Sequence, residues 1–241
     1  FVHAADSSYK NEDLDEMANE SKPMFKKYTL GSEWFARLSL MGDTKITKYL
    51  LGTPEEMEAK VNKLLEDNKG NLFTKKGSIV KKVYQREVIG YSSTASANAN
   101  LRDDEARLYA PEQEITIFLK AMHKIDKNFD IDKAREKLDS GGYVILPPAL
   151  QLRNPSIDDA NTIYMNTFLY KTTNPHAKYG YIEVNPDVWA IQGGDFDGDQ
   201  VILIFFPFYL KKHLHDLFKV SHHDEIRLIQ YETMIKQISK L

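Results

Sequence analysis

Hydrophobic spacing predicts three helices in the first part of the chain. The first follows Thr53, which can cap a helix, and Pro54, which suits the first helical position. Apolar residues at helical spacing predict two more helices, at 111–123 and 131–138. Residues 1–30 are polar and lack apolar material for a core, so we expect a flexible or partner-wrapped arm there.

Strand-like patterns occupy much of the remainder. β-branched and aromatic residues at 78–91 predict two short strands, and the small polar residues at 92–100 predict a loop. Beyond Gly142, apolar runs separated by turn residues predict strands at 143–146, 162–170, 179–184 and 201–206. A helical tail follows from Tyr209. The pattern therefore predicts an α+β chain, in which a β core is interrupted by a helical insertion and flanked by helices.

Composition narrows the possible functions. The net charge is −3, so the chain as a whole lacks the basic charge of a protein that grips a phosphate backbone by itself. It contains no cysteine, which excludes disulfides and thiolate zinc sites. No apolar run approaches the roughly 20 residues that span a bilayer. The chain opens at Phe1 without a signal-peptide pattern, and we expect a fragment or a processed product.

The most informative segment is residues 193–200, Gly-Gly-Asp-Phe-Asp-Gly-Asp-Gln. Its carboxylates alternate at Asp195, Asp197 and Asp199, and a regular strand would place all three on one face, where they repel. The glycines allow the backbone to curl, so the three side chains can converge on one point. Converging carboxylates favour a hard divalent cation, and Mg²⁺ prefers oxygen ligands. Apolar flanks on both sides predict a rigid loop between two buried strands.

Three alternatives to a magnesium loop compete for this segment. A solvated acidic turn seldom carries three alternating acids between buried strands. An EF-hand calcium loop needs glycine at its sixth position and glutamate at its twelfth, but counting from Asp195 the glycine is fourth and the twelfth residue is Phe206. Residues 195–198 also resemble the nucleophile motif of haloacid-dehalogenase-type phosphatases, in which Asp195 would attack phosphorus. That motif normally closes an early strand and has threonine or valine where Asp199 stands.

The acidic segment most closely resembles the large catalytic subunit, of β′ type, of multisubunit DNA-dependent RNA polymerases. That family carries the signature Asn-Ala-Asp-Phe-Asp-Gly-Asp-Gln, and residues 195–200 reproduce its last six positions. Asn185-Pro186 stands where the family has a His-Pro dipeptide, and Pro207 stands where it has a proline before a helix.

Two further segments are similar to the same family, in the same order. Residues 153–157, Arg-Asn-Pro-Ser-Ile, resemble its Arg-x-Pro-Thr-Leu element, which implies that Arg153 approaches the ribose of an incoming nucleotide. Pro155 and Gln200 would also border that nucleotide. The stretch 86–92 resembles a segment beside the template, which implies that Arg86 contacts nucleic acid. The alternative for Arg153 is a surface arginine in a proline turn.

The resemblance implies a fold and a reaction. The fold would be a double-psi β-barrel at 79–207 with a helical insertion at 98–140, preceded by an arm and helical region at 1–78 and followed by C-terminal helices at 208–241. The reaction would be nucleotidyl transfer, in which an RNA 3′ hydroxyl attacks the α-phosphorus of an NTP and pyrophosphate leaves. The three aspartates would hold one Mg²⁺ and share a second that arrives with the NTP.

The resemblance also implies partners, because the chain lacks other parts of such an enzyme. We expect a β-like subunit that supplies a second barrel and its lysines, the remaining β′-like chain, a DNA template and an RNA product. No zinc is expected in this chain. A small, cysteine-free, split form fits a large bacteriophage, acting in the cytoplasm of an infected bacterium or packaged in the virion. Besides the polymerase and the phosphatase, a third hypothesis is a noncatalytic scaffold, in which the acidic loop binds metal only structurally.

Two residue classes are assigned no chemistry. His213 and His215 fall in the predicted helical tail, where side chains two residues apart cannot face the same way, and we predict surface histidines. His222 and His223 are also predicted to be surface histidines. Tyrosines and phenylalanines are scattered through strand patterns and are predicted to lie in the core.

Overall fold

A computed structural model gives the architecture. It describes residues 24–30, 44–71, 73–74, 77–78, 82–83, 86–154, 162–174 and 178–219. The chain divides into two compact units, one comprising Lys27–Ile89 and the other Phe1–Lys26 with Gly90–Leu241. Among the described residues, no helix has the length and apolar character needed to cross a bilayer.

The smaller unit contains two helices and a short hairpin. Its elements are α1 (Lys45–Leu51), α2 (Pro54–Asp67), β2 (Phe73–Thr74) and β3 (Gly77–Ser78). A capping box starts α2, as the sequence predicts. The Thr53 hydroxyl accepts the backbone N–H of Glu56, and the Glu56 carboxylate accepts the backbone N–H of Thr53. Helix α1 was not predicted.

Strand β1 (Met24–Leu30) precedes these elements along the chain, and the remaining elements follow them. They are β4 (Arg86–Ala97), β5 (Glu105–Ala110), α3 (Glu112–Ile125), α4 (Ile131–Asp139), β6 (Tyr143–Ile145), β7 (Ala149–Asn154), β8 (Ile163–Lys171), β9 (Tyr181–Val184), α5 (Pro186–Ile191), β10 (Gln200–Phe205), a 3₁₀ turn (Phe208–Leu210) and α6 (Lys211–Phe218).

Six of these strands close into a barrel. The ring runs β4-β10-β7-β8-β5-β9 and returns to β4, while β6 pairs with β8 outside the ring. The β4–β9 and β5–β8 pairs are parallel and the other four are antiparallel. The prediction of an α+β fold built on a β-barrel is therefore confirmed.

The barrel has an internal two-fold pattern. Exchanging the three ring strands that come first along the chain (β4, β5, β7) with the three that come last (β8, β9, β10), in that order, preserves all six pairings and their directions. Four pairings exchange in two pairs, and β7–β10 and β5–β9 map onto themselves. The connection that holds α3, α4 and β6 corresponds to the connection that holds α5 and the acidic loop. The two halves of the ring thus carry different insertions on equivalent connections.

Alternation along the strands fills the barrel with apolar side chains. In β5 the residues Ala106, Leu108 and Ala110 are fully buried, and their neighbours face outwards. Helix α3 covers the barrel with Ile115, Phe118, Leu119 and Met122, all buried. Trp189, the largest fully buried side chain among the described residues, joins the same core from α5. The predicted apolar face of α3 is confirmed.

Strand β4 continues where the sequence predicted a loop. Residues 92–97 are small and polar, with weak strand propensity. Their backbone nevertheless pairs with β10 as far as Thr94 and with β9 from Ala95 onwards, and Ser92 and Ser93 are buried. The Ser93 hydroxyl donates to the Gly180 carbonyl at 2.8 Å. Pairing with distant strands outweighs local propensity here.

Other predicted elements also differ. β1 covers 24–30, within the segment predicted as an arm, and residues 1–23 lie outside the described part. β5 lies inside the predicted helical insertion, whose helices occupy only 112–139. β7 was not predicted, because its apolar positions are few and follow Pro147-Pro148. The apolar run before the acidic loop forms helix α5, and not the buried strand predicted there.

An outward-facing row of tyrosines corrects the prediction that aromatic residues belong to the core. Tyr143, Tyr170, Tyr109 and Tyr181 lie directly opposite one another across β6, β8, β5 and β9. Tyr109 stacks on both Tyr170 and Tyr181, with ring centroids 5.1 and 4.7 Å apart. Tyr143 is 46% exposed. Periodicity could not show this, because aromatic residues suit either face of a strand.

Stability should depend on the ionisation of Glu114, a half-buried residue of α3. Its carboxylate accepts the Tyr91 hydroxyl at 3.3 Å, but burial raises its pKa. A pKa raised on folding means that stability from this group is present at acidic pH and is lost as pH rises through the folded pKa. We therefore expect Glu114→Gln to gain stability relative to wild type as pH rises from 4 to 7.

Urea unfolding of both proteins at the two pH values measures this difference. Glu136→Gln, at an exposed position of α4, serves as the control for removal of a glutamate charge from a helix surface. A Glu114→Gln difference that stays constant would contradict the assignment.

Candidate metal centre

The acidic loop is positioned by a capped helix. Asn185, which is buried, caps α5 by accepting the backbone N–H of Asp187 at 2.9 Å, and Pro186 occupies the first helical turn. The Asn185 amide also donates to the Leu101 carbonyl at 2.9 Å, which ties the helix start to the loop before β5. The Asn-Pro pair therefore fixes where the helix leading to the acidic residues begins.

Glycines turn the chain sharply after α5. Gly193 has φ +72° and Gly198 has φ +129°, values that side chains disfavour. A Cβ on Gly194 would lie 2.3 to 2.6 Å from atoms of the Trp189 indole. The indole Nε1 donates to the Asp195 carbonyl at 2.6 Å. The buried tryptophan thus anchors the first acidic residue, and only glycine at 194 leaves space for it.

The three predicted carboxylates converge. One oxygen from each of Asp195, Asp197 and Asp199 lies within 4.8 Å of the other two. Asp195 and Asp197 are exposed, whereas the Asp199 side chain is only 12% exposed. The Asp199 carbonyl accepts the Ala95 backbone N–H at 3.1 Å, which joins the end of the loop to β4. The predicted convergence of the acidic side chains is therefore present in the structure.

Arg153 is part of this cluster. It lies in β7 opposite Val201, so Asp199 is its diagonal neighbour across the strand pair. Its Nε donates to Asp199 Oδ2 at 2.6 Å, and the arginine side chain is only 14% exposed. The same Oδ2 accepts the Asp195 backbone N–H at 3.2 Å. Asp199 is therefore held by two donors on one oxygen, which leaves its other oxygen for a ligand.

The charge and chemistry of the cluster fit a divalent cation. Three carboxylates and one guanidinium carry a formal charge of about −2, which a dication would balance. All the candidate ligand atoms are carboxylate oxygens, which hard cations such as Mg²⁺ prefer. The two exposed aspartates leave room for the waters that Mg²⁺ retains.

A buried pair of glutamine side chains joins the start of the acidic loop to β7. Gln151 of β7 donates through Nε2 to Gln192 Oε1 at 2.7 Å, and Gln192 Nε2 donates to the Gln151 carbonyl at 3.0 Å. Both side chains are almost fully buried. Gln192 is the last residue before the glycine turn. β7 therefore fixes both the start of the loop, through Gln151, and its end, through Arg153. Sequence reasoning missed this pair because glutamine carries no strong positional signal.

Of the other residues named in the sequence analysis, some lie in the described part of the structure and some do not. Gln200 begins β10 directly after Asp199 and is half-buried opposite Thr94. Pro155 lies outside the described residues, and so does the side chain of Arg86, the first residue of β4. His213 and His215 lie on α6, where His215 is exposed and His213 is half-buried, and His222 and His223 are outside the described part.

Comparison with protein-family models found no match, and comparison with curated protein sequences also found none. The function is therefore inferred from the residues and geometry of the site.

Gly194→Ala should disrupt this centre more than Gly193→Ala. The added Cβ at 194 must displace the Trp189 indole and break its bond to Asp195, at a cost of roughly 1–3 kcal/mol. At 193 the nearest atom to an added Cβ is Arg153 Nη1 at 3.5 Å, so the main cost is the left-handed backbone, about 1 kcal/mol.

Urea unfolding followed by far-ultraviolet circular dichroism measures both losses, and tryptophan fluorescence reports the indole environment. Only Gly194→Ala should change the folded-state emission. Equal destabilisation with unchanged emission in both variants would show that the indole does not anchor the loop.

Proposed function

We propose that this chain is the part of a β′-type RNA polymerase subunit that holds the catalytic magnesium, and that it extends RNA from NTPs within a multisubunit, DNA-dependent enzyme. The observation that carries the proposal is the convergence of Asp195, Asp197 and Asp199 within 4.8 Å, on a loop that leads directly into a barrel strand. The specific Asp-Phe-Asp-Gly-Asp-Gln sequence supports it independently.

The barrel supports the finer fold assignment within this proposal. A double-psi barrel consists of six strands in two interlocked halves, and it requires two-fold related pairings that include parallel neighbours. The ring found here has that internal pattern, with β4–β9 and β5–β8 as the related parallel pairs. This pattern supports our proposal that the barrel is of the double-psi type.

Within this mechanism the protein positions charges. When bound, Mg²⁺ would neutralise phosphate charge and favour the deprotonated 3′ hydroxyl of the RNA. Asp195, Asp197 and Asp199 would hold it. Arg153 fixes the orientation of Asp199 and offsets one negative charge, so that the cluster can form before the cation arrives.

Arg153 also has terminal N–H groups that make no hydrogen bond to the residues the structure describes. Its Nε is committed to Asp199, while a guanidinium carries further N–H groups on its two terminal nitrogens. We assign these to the ribose hydroxyls of the NTP, with Pro155 and Gln200 beside the nucleotide and Arg86 towards the template. The β-like partner would contribute lysines to the triphosphate. Arg153 would then link metal binding to recognition of the sugar.

The phosphatase alternative has less support. A nucleophilic aspartate of that type follows directly from a strand, whereas Asp195 follows helix α5 and a glycine turn. The Asp195 carbonyl is also bonded to the buried indole, which fixes its backbone within the loop. The noncatalytic scaffold makes a different prediction, because a variant that lacks one of the three aspartates would then still synthesise RNA normally.

The decisive variant for the proposed function is Asp197→Ala in the complete complex, purified with its partner chains. Asp197 is exposed and has no described bond that supports the fold, so assembly should be unaffected. Template-directed incorporation of labelled NTPs should fall by about 10²-fold or more, because a charge-stabilising ligand is lost.

Asp132→Ala, an exposed acidic residue of α4, removes the same charge elsewhere and should leave synthesis unchanged. Normal synthesis by Asp197→Ala would exclude the catalytic assignment and favour the scaffold. Turnover of p-nitrophenyl phosphate by the isolated chain, lost in Asp195→Asn, would favour the phosphatase.

A further inference from the structure

A second polar pocket lies beyond the opposite end of β10 from the acidic loop. It has a volume of about 530 Å³ and is lined by residues from the loop before β5, the start of β8 and the region 208–215. The six residues of β10 separate it from Asp199, a distance of roughly 20 Å along the strand. Its volume is in the range of sites for small ligands.

Positive charge is concentrated in this pocket, although the chain as a whole is acidic. Arg102, Lys211 and Lys212 line it together with Asp104. Arg102 is paired with Asp104 and with Glu105, so the uncompensated positive charge is that of the two lysines. Lys211 and Lys212 are exposed, and neither makes an ion pair with any residue in the described part of the chain. They begin α6, where the helix dipole disfavours cations, and no acidic residue in its first turn offsets them. An anionic ligand would relieve this unfavourable arrangement.

Aromatic rings border the same positive charges. Tyr209 is 67% exposed and Phe208 is 36% exposed. The backbone of Phe208 is fixed, because its N–H donates to the buried Asp126 carboxylate at 2.9 Å. Exposed rings beside lysines can stack with a flat base while the lysines bind phosphate.

The pocket floor is ordered by a chain of polar contacts. The Tyr164 hydroxyl donates to Asn166 Oδ1 at 2.8 Å, and Asn166 Nδ2 donates to Asp104 Oδ2 at 2.6 Å. Arg102 Nε lies 3.4 Å from the other oxygen of Asp104. Asp104 is thus held in place and keeps Arg102 at the rim. Of the three cations, Arg102 is therefore the one whose position the floor fixes.

We propose that this pocket binds a nucleoside phosphate unit, with the base against Tyr209 and the phosphate on Lys211 and Lys212. The unit would be either a free nucleotide or one residue of a single strand. An acidic peptide is less favoured, because it would use the cations but leave the exposed aromatic rings uncovered. The site does not require a cation at the acidic loop, so it is independent of the proposed polymerase activity.

Titration of the full chain with ATP and with short oligo(dT), in buffer that contains EDTA, tests the pocket without a contribution from metal at the acidic loop. Binding of ATP alone would identify a free nucleotide as the ligand, and binding of oligo(dT) would identify a strand. We expect Lys211→Ala/Lys212→Ala to weaken binding at least ~10-fold. For oligo(dT), the slope of log K against log salt should fall by about 1.4, corresponding to two phosphates on a single strand.

Matched variants distinguish binding in the pocket from nonspecific attraction to surface lysines. Lys120→Ala/Lys124→Ala removes two exposed lysines of α3 and should leave binding unchanged. Asp197→Ala should also bind normally, so a failure of the polymerase proposal would not be confused with a failure here. Tyr209→Ala should weaken binding roughly ten-fold, whereas inorganic triphosphate should bind Tyr209→Ala and wild type alike.

Three results would overturn the proposal. They are wild-type affinity in Lys211→Ala/Lys212→Ala, an equal loss in the α3 control, and tighter binding of poly-glutamate than of either nucleotide probe. Circular dichroism of each variant confirms that the fold is retained before the affinities are compared.

Discussion

Mutual repulsion among three carboxylates is the constraint on which the site depends. Their oxygens lie within 4.8 Å of one another, a separation at which like charges oppose folding unless something compensates them. The chain supplies part of that compensation through Arg153, whose Nε contacts Asp199, and through the Asp195 backbone N–H on the same oxygen. A divalent cation would supply the remainder. The geometry of the cluster therefore fits a divalent cation, and neighbouring elements offset part of the cost of bringing the carboxylates together.

The barrel provides the rigidity that such an arrangement requires. β7 contacts both ends of the loop, through Gln151 at its start and Arg153 at its end, while β4 donates to the loop end from Ala95. Trp189 fills the core and fixes the Asp195 carbonyl. The two-fold pattern of the ring places this loop on the connection equivalent to the one that carries α3 and α4. The connection between β5 and β7 contains the helices α3 and α4, and the connection between β9 and β10 contains the acidic loop.

Local signals in the sequence predicted local structure well. The Thr53 cap, the apolar face of α3 and the glycine-flanked acids each depend on neighbours a few residues away, and each is present in the structure. The end of β4 and all of β7 depend on strand partners far along the chain and carry little periodicity of their own, whereas the alternation of β5 is present in the sequence but spans only six residues. The Arg153–Asp199 contact likewise needs the β7–β10 register. Sequence located the acidic residues of the site, whereas their support required the fold.

Crystals of the full chain soaked in Mn²⁺, with diffraction data collected at the manganese absorption edge, test the metal assignment most directly. We expect an anomalous peak bounded by the carboxylates of Asp195, Asp197 and Asp199, which disappears in crystals of Asp197→Ala. Bound manganese at other positions, with the three side chains apart and no peak between them, would contradict the assignment.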